Sequence, residues 1–278
     1  MIGLLDIGGT KLAASVADGD RLGAVVRTTT PASAPEAALA GLLAAVAGDA
    51  RLSAIGVSAP GPFDRDAAAL LDPPGMPPVW HGFRLSEDLG ERFGCPVVVE
   101  NDANCAALAE ARRGAGTGDR VVVYFTVSTG IGSGVVREGR LIPVRTDTEG
   151  GHQVLWPEWV GGPSCHCGGH GCLETIASGL AIERRFGVRA ERLNDAAAWR
   201  DVGRWLGLGV VNAVALHDPD SVLFGGGVCG SWDRFAPSMI ETVESHLFLQ
   251  RMPRIEMGSL GEERPLIGAL EVVKDRSA

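Results

Sequence analysis

The sequence predicts an α/β protein made of two related domains. Three observations carry that expectation. Strand-like and helix-like segments alternate along all 278 residues. A glycine-rich turn follows a buried strand twice, at Gly8-Gly9-Thr10-Lys11 and at Ser128-Thr129-Gly130-Ile131-Gly132-Ser133-Gly134. The hairpin tail Asp18-Gly19-Asp20-Arg21-Leu22 is echoed about 120 residues later by Glu138-Gly139-Arg140-Leu141. A repeat of strand, glycine turn, strand and hairpin points to duplication, and duplicated α/β units bind their ligand in the cleft between copies. The glycine-rich stretch 114–118 is the expected boundary, giving domains 1–113 and 114–265.

The elements follow in order. Ile2 to Ile7 reads as a buried strand and Leu12 to Ala17 as its partner, with Asp18-Gly19-Asp20 as the hairpin signal. Pro35 to Ala47 is rich in Ala and Leu and reads as a helix. Ala54 to Ser58 is a strand that runs into Ala59-Pro60-Gly61-Pro62. Leu85 to Phe93 reads as a helix and Pro96 to Glu100 as a strand, after which Asn101-Asp102 opens a helix from Ala103 to Arg112. The pattern then restarts: a strand Val121 to Val127, the turn 128–134, a return strand at Val135-Val136 and the hairpin signal Glu138-Gly139. A helix Arg204 to His217, a strand Ser221 to Phe224, the turn Gly225-Gly226-Gly227, a helix Phe235 to Leu249 and a last helix from Leu266 complete the chain.

Composition narrows the function class. Apolar residues make up 45% and charged residues 21%, ordinary for a globular protein with a sizeable core. The formal net charge is −9 and no basic patch stands out, which speaks against a nucleic-acid partner. No apolar run reaches the ~20 residues of a membrane span, and the first residues lack a signal-peptide pattern, so a cytoplasmic protein without a membrane partner is expected. Six cysteines, three of them clustered, suit a reducing compartment in which thiols bind metal.

That cluster is the most specific signal. His152 precedes Cys165-His166-Cys167 and Cys172, with twelve residues between it and Cys165; the cysteines lie in a short glycine-rich turn, and Cys3His is the ligand set of a closed zinc site. His166 and His170 are rival ligands; His166, squeezed between two cysteines, is the less plausible. The loop also carries Glu149 and Glu174, acids that need not ligate zinc and whose oxygens accept well from sugar hydroxyls.

Two further features bear on chemistry. In Asp6-Ile7-Gly8-Gly9-Thr10-Lys11, paired glycines let backbone N–H groups approach an anion, with Thr and Lys as added donors. Alone this reads first as a plain hairpin. A second such turn at Thr129-Gly130-Ile131-Gly132, at an equivalent place, makes a two-sided phosphate clamp the better reading. Glu100-Asn101-Asp102-Ala103-Asn104 lies where a strand ends and a helix begins, so Asn101 and Asp102 read as N-cap residues and also as a place for ligand contact. Gly225-Gly226-Gly227 after a strand admits a flat base, or simply starts a helix.

Together these residues resemble the ROK family of sugar kinases and repressors, over nearly the whole chain. The resemblance implies the actin-like (ribonuclease H-like) duplicated two-domain ATPase fold, with the C-terminal helix 266–278 joined to the first domain. It implies ATP and Mg2+ at Asp6, Gly8, Gly9, Thr10, Lys11, Thr129, Gly130, Gly132 and Gly225 to Gly227. It implies a sugar held by Gly61, Asn101, Asp102, Glu149, His152 and Glu174, and a structural Zn2+ on His152, Cys165, Cys167 and Cys172. His152 would ligate zinc through one nitrogen and face the sugar through the other. Asp102 would be the catalytic base for phosphoryl transfer to a hexose hydroxyl, O6 first among them. Glucose is the default acceptor and N-acetylmannosamine the alternative; a non-catalytic sugar sensor is the other class. A homodimer is the implied assembly. The chain departs from the family at Pro143-Val-Arg145-Thr-Asp147-Thr148, where small residues are usual, and this segment is expected to reshape the sugar pocket, with Arg145 as a possible partner of Glu149.

Overall fold

The computed structural model describes residues 1–64, 69–73 and 75–277. It divides into two compact units. The first holds Met1–Ala109, Val144–Asp147 and Leu260–Ala278, and the second holds Glu110–Pro143 and Thr148–Ser259. The division falls inside a helix, between Ala109 and Glu110, a few residues before the glycine-rich stretch 114–118.

The first unit contains β1 (Ile2–Ile7), β2 (Lys11–Asp18), β3 (Arg21–Leu22), β4 (Val26–Thr29), α1 (Pro35–Ala47), β5 (Ala54–Ala59), β6 (Phe63–Asp64), β7 (Ala69–Leu70), α2 (Leu85–Phe93), β8 (Val97–Asn101) and the start of α3 (Asp102–Arg113). Its main sheet runs β3-β2-β1-β5-β8, with β4 on β2. β1 pairs antiparallel with β2 and parallel with β5, and β5 is parallel to β8. Parallel strands buried on both faces read as continuous apolar runs, and β1 and β5 do so. Leu5 and Ile7 join a core with Leu39 and Leu43 of α1 and Leu85 and Leu89 of α2. Gly56, in register with Leu4, faces the last helix of the chain, α8 (Arg264–Ser277). A Cβ at Gly56 would lie 2.6 Å from the Ala269 carbonyl oxygen, so the close approach of α8 requires glycine there.

The second unit contains β9 (Val121–Val127), β10 (Ile131–Arg137), β11 (Arg140–Leu141), α4 (Leu173–Ala177), α5 (Gly179–Phe186), α6 (Ala196–His217), β12 (Ser221–Gly225), α7 (Trp232–His246) and β13 (Arg254–Met257). Its sheet runs β11-β10-β9-β12-β13. Apart from β4, which has no counterpart, the plan matches the first sheet: an antiparallel hairpin, then two parallel additions on the same side. Asp6 in β1 pairs with Ala13 and Ser58; Thr126 in β9 pairs with Gly132 and Gly225. The core gathers Phe125, Val127, Trp199, Leu206, Phe224 and Phe235.

Several elements differ from the sequence expectation. Ile131 to Gly134 is strand rather than turn, because Gly132 and Gly134 pair with Thr126 and Tyr124 across the sheet. Pairing along seven residues of ladder overrides the weak strand preference of Gly and Ser. The helix expected from Arg204 starts at Ala196, where Asp195 accepts from the N–H groups of Ala197 at 2.7 Å and Ala198 at 3.2 Å. The helix expected over Phe235 to Leu249 runs from Trp232 to His246. Strand β13 and helices α4 and α5 have no counterpart in the sequence reading.

Candidate functional site

The first glycine turn is braced from outside. The Gly8 N–H donates to the Lys11 carbonyl at 3.0 Å, and Thr30 donates from its hydroxyl to the Gly8 carbonyl at 2.5 Å and from its N–H to the Thr10 carbonyl at 3.1 Å. Among the described residues nothing accepts from the N–H groups of Gly9 and Thr10. A Cβ on Gly9 would come within 2.7 Å of the Gly75 carbonyl oxygen, which fixes glycine there. Lys11 stands exposed at the start of β2.

The second turn repeats the arrangement over Ser128, Thr129 and Gly130. Ser128 donates to the Gly130 carbonyl at 2.8 Å, and the first N–H groups of α5, from Gly179 and Leu180, hold the carbonyls of Ser128 at 2.7 Å and Thr129 at 3.3 Å. The N–H groups of Thr129 and Gly130 donate to nothing among the described residues. Each hairpin thus presents two consecutive amides, the geometry that receives an anion. Gly132 is a ladder residue in β10, not part of this turn.

At the end of β8, Asn101 caps α3. Its Oδ1 accepts from the N–H groups of Ala103 at 2.9 Å and Asn104 at 3.2 Å. Asp102, half-buried, occupies the first helical position, and its Oδ1 accepts from the Ala103 N–H at 2.7 Å. Buried Glu100 organises the corner: its Oε1 accepts from the Asn101 N–H at 2.9 Å and from Asn104 Nδ2 at 3.0 Å. Asp6, half-buried, lies nearby and accepts from the Ser58 hydroxyl at 3.0 Å. Burial first, and then the charge of Asp102, push the Asp6 carboxyl up to about 7; the Ser58 hydrogen bond and Arg27 oppose the shift. A carboxyl held in this state suits a divalent cation, whose charge would restore the ionised form.

Sequence reading missed Asp147. Its Oδ1 accepts from Asn104 Nδ2 at 3.2 Å, and its Oδ2 lies 3.8 Å from the position a Cβ would take on Gly61. The same position on Gly61 is 3.3 Å from Asn101 Nδ2. Gly61, Asn101, Asn104 and Asp147 therefore share one corner of the first unit. Arg145 is exposed.

In the second unit, Ser133 fixes the segment that carries Glu149. Gly150 N–H donates to Ser133 Oγ at 2.8 Å, Ser133 Oγ to the Thr148 carbonyl at 2.8 Å, and Thr148 Oγ1 to the Ser133 carbonyl at 2.9 Å. His152 then meets Cys165 Sγ through Nδ1 at 3.5 Å, while its Nε2 lies 3.9 Å from Glu149 Oε2. Ligand atoms of His152, Cys165, Cys167 and Cys172 all lie within 4.8 Å of one another, and all three thiols are free. Burial raises the Cys165 thiol and pushes that of Cys172 up to about 12, whereas a backbone hydrogen bond at Gly169 lowers Cys167. Three such thiols ionise together only on a cation, so the donor set fits zinc. His170 pairs instead with Glu158 at 3.9 Å. Glu174 is engaged at both oxygens, by the Ile131 N–H at 2.7 Å and by His166 Nδ1 at 3.1 Å. Gly225 ends β12, and Gly226, with φ 95°, lies so close to Val127 that a side chain has no room. Gly227 then begins a short 3-10 helix that leads into α7.

The sequence model of the ROK family matches residues 2–276. The chain belongs to the ROK family. Its fold is accordingly the actin-like ATPase fold. A ROK hexokinase from Thermus thermophilus superposes with a TM-score of 0.86 at 35% identity, covering 100% of this chain and 99% of that one. A ROK family glucokinase from Streptomyces griseus, solved in complex with glucose and AMPPNP, gives a TM-score of 0.82 at 29% identity, covering 99% of each chain. The glucokinase of Thermotoga maritima is 31% identical over 310 residues, covering 98% of this chain and 96% of that protein. Among the described residues no helix of this ROK chain is long and apolar enough to cross a membrane.

Proposed function

We propose that this ROK chain is an ATP-dependent hexose kinase, a glucokinase, that transfers the γ-phosphoryl group of ATP to O6 of the sugar. The observation that carries the reading is Asp102 at the first turn of α3, together with two hairpins that each offer a pair of consecutive amides. The relatives named glucokinase and hexokinase support it.

In this reading the N–H groups of Gly9, Thr10, Thr129 and Gly130 receive the phosphates, Lys11 adds a donor, and Gly225 to Gly227 border the adenosine. Gly61, Asn101, Glu149, His152 and Glu174 bind and orient the sugar. Asp102 takes the proton of the attacking hydroxyl, a role typically worth ~10²–10⁴-fold. Mg2+ carried with the nucleotide supplies positive charge against the developing phosphoryl charge, with Asp6 as its protein partner. Zn2+ held by His152, Cys165, Cys167 and Cys172 orders the loop that carries Glu149 and Glu174. Four protein ligands would complete its shell, so the role it would supply is structural. The enzyme works in the cytoplasm, as a homodimer.

The test is a panel of hexoses with ATP or polyphosphate as donor, read by phosphosugar formation. Glucose with ATP is expected to give the highest kcat/KM. N-acetylmannosamine as the best acceptor, polyphosphate as the best donor, or no turnover with any hexose would each overturn this assignment.

A further inference from the structure

His166 is the less plausible of the rival metal ligands because two cysteines flank it, and the structure gives it another partner. Its Nδ1 lies 3.1 Å from Glu174 Oε1, and its ring meets that of His152 edge-on with centroids 5.2 Å apart. The other oxygen of Glu174 accepts the Ile131 N–H at 2.7 Å. Gly130 makes room for this: a Cβ there would collide with Glu174 Oε2. Glu174 is thus clamped between an imidazole of the cysteine loop and the backbone amide of Ile131, the first residue of β10 beside the second glycine turn. An ionised carboxylate offers about four acceptor sites, so this clamp leaves capacity for a sugar hydroxyl.

We infer that His166 is a positioning residue for nucleotide binding: through Glu174 it holds Ile131 and so fixes the adjacent amides of Thr129 and Gly130. The cysteine loop, on the sugar-binding segment, then sets the order of a phosphate turn, and nucleotide affinity depends on it with no sugar present. This rests on the reading of residues 128–130 as a phosphate turn.

Three variants of the full chain test it: His166→Ala, His166→Asn and Thr129→Pro. Each is assayed for zinc content, for AMP-PNP affinity by calorimetry without sugar, and for hydrogen exchange at the Ile131 amide. His166→Ala is expected to keep one zinc per chain, to weaken AMP-PNP binding by about tenfold, within the usual span of site-to-site coupling, and to speed Ile131 exchange. His166→Asn, whose amide nitrogen stands where Nδ1 was, is expected to recover most of the affinity. Wild-type affinity and Ile131 protection in His166→Ala would overturn the inference. Two zinc ions per chain in the wild type with one lost in His166→Ala would do so too, since His152, His166 and Glu174 would then be a ligand set of their own. Thr129→Pro, which removes the amide hydrogen at that position, separates the two layers. Weakened AMP-PNP binding with zinc retained in that variant supports the phosphate turn independently of His166. Unchanged binding overturns the reading of the turn and the inference with it.

Discussion

Asn101 caps helix α3 by accepting the N–H of Asn104 at 3.2 Å, which places the capping role one residue before Asp102. The two residues can therefore be separated by substitution. Asp102→Asn is expected to abolish phosphoryl transfer while sugar affinity stays within about tenfold, because an amide cannot accept the proton. Folding stability is expected to change by less than about 1 kcal/mol, the helix-dipole contribution of the lost charge. Asn101→Ala is expected to cost ~1 kcal/mol in stability, as cap removal does. Denaturant melts and single-turnover assays check both. Turnover near wild type in Asp102→Asn would remove Asp102 from the mechanism.

The half-buried Asp6 predicts a pH dependence of stability. Its carboxyl ionises at about 7 in the folded protein against 3.8 ordinarily. The contribution of its neutral form is fully present below the ordinary value and is lost as pH rises through about 7. At 1.36 kcal/mol per unit, the loss is at most about 4 kcal/mol. Asp6→Asn keeps an acceptor for Ser58 without the charge. It is expected to be more stable than wild type at pH 8 and similar at pH 4, with phosphoryl transfer lost. Urea midpoints at the two pH values decide it; equal gains at both would show that ionisation of Asp6 is not the cause.

Metal analysis is expected to give one zinc per chain. Cys167→Ser is expected to lose it together with sugar affinity, because the loop carrying Glu149 and Glu174 loses its anchor. Full occupancy in that variant would take Cys167 out of the ligand set.

The segment 143–148 predicts acceptor selectivity. Asp147, rather than Arg145, turns toward Asn104 and Gly61. A carboxylate beside residues assigned to the sugar favours acceptors with a donor to meet it over those without one. Replacing 143–148 with a glycine-containing segment is expected to raise kcat/KM for glucose by about tenfold or more. An unchanged or lower value would show that the segment is tolerated.

How much of this could be read from the chain follows from how local each signal is. The two hairpins, the first glycine turn and the cap at Asn101 are written in neighbouring residues and are where the sequence places them, whereas of the second glycine turn only residues 128–130 remain a turn. The cysteine loop is nearly as local. The Glu174–Ile131 and Asp147–Asn104 hydrogen bonds each join residues 43 apart, and no periodicity or spacing announces such pairs. Gly132 and Gly134 mislead for a related reason: their composition says loop, and only the partner strand makes them sheet. Gly130 is readable as a flexible residue, but its reason is steric and lies in a carboxylate from the helix Leu173–Ala177.

Helix α8 has a consequence for the order in which the protein is made. It covers β1, β5 and β8, yet it leaves the ribosome after every residue of the second unit. The second unit can therefore complete its core during synthesis, while the β-sheet laid down first waits with one apolar face bare. Contacts between the earliest and latest segments are slow to form and expose that face meanwhile. Nascent chains arrested before Leu266 should bind a hydrophobic dye and holdase chaperones through the unit that was translated first.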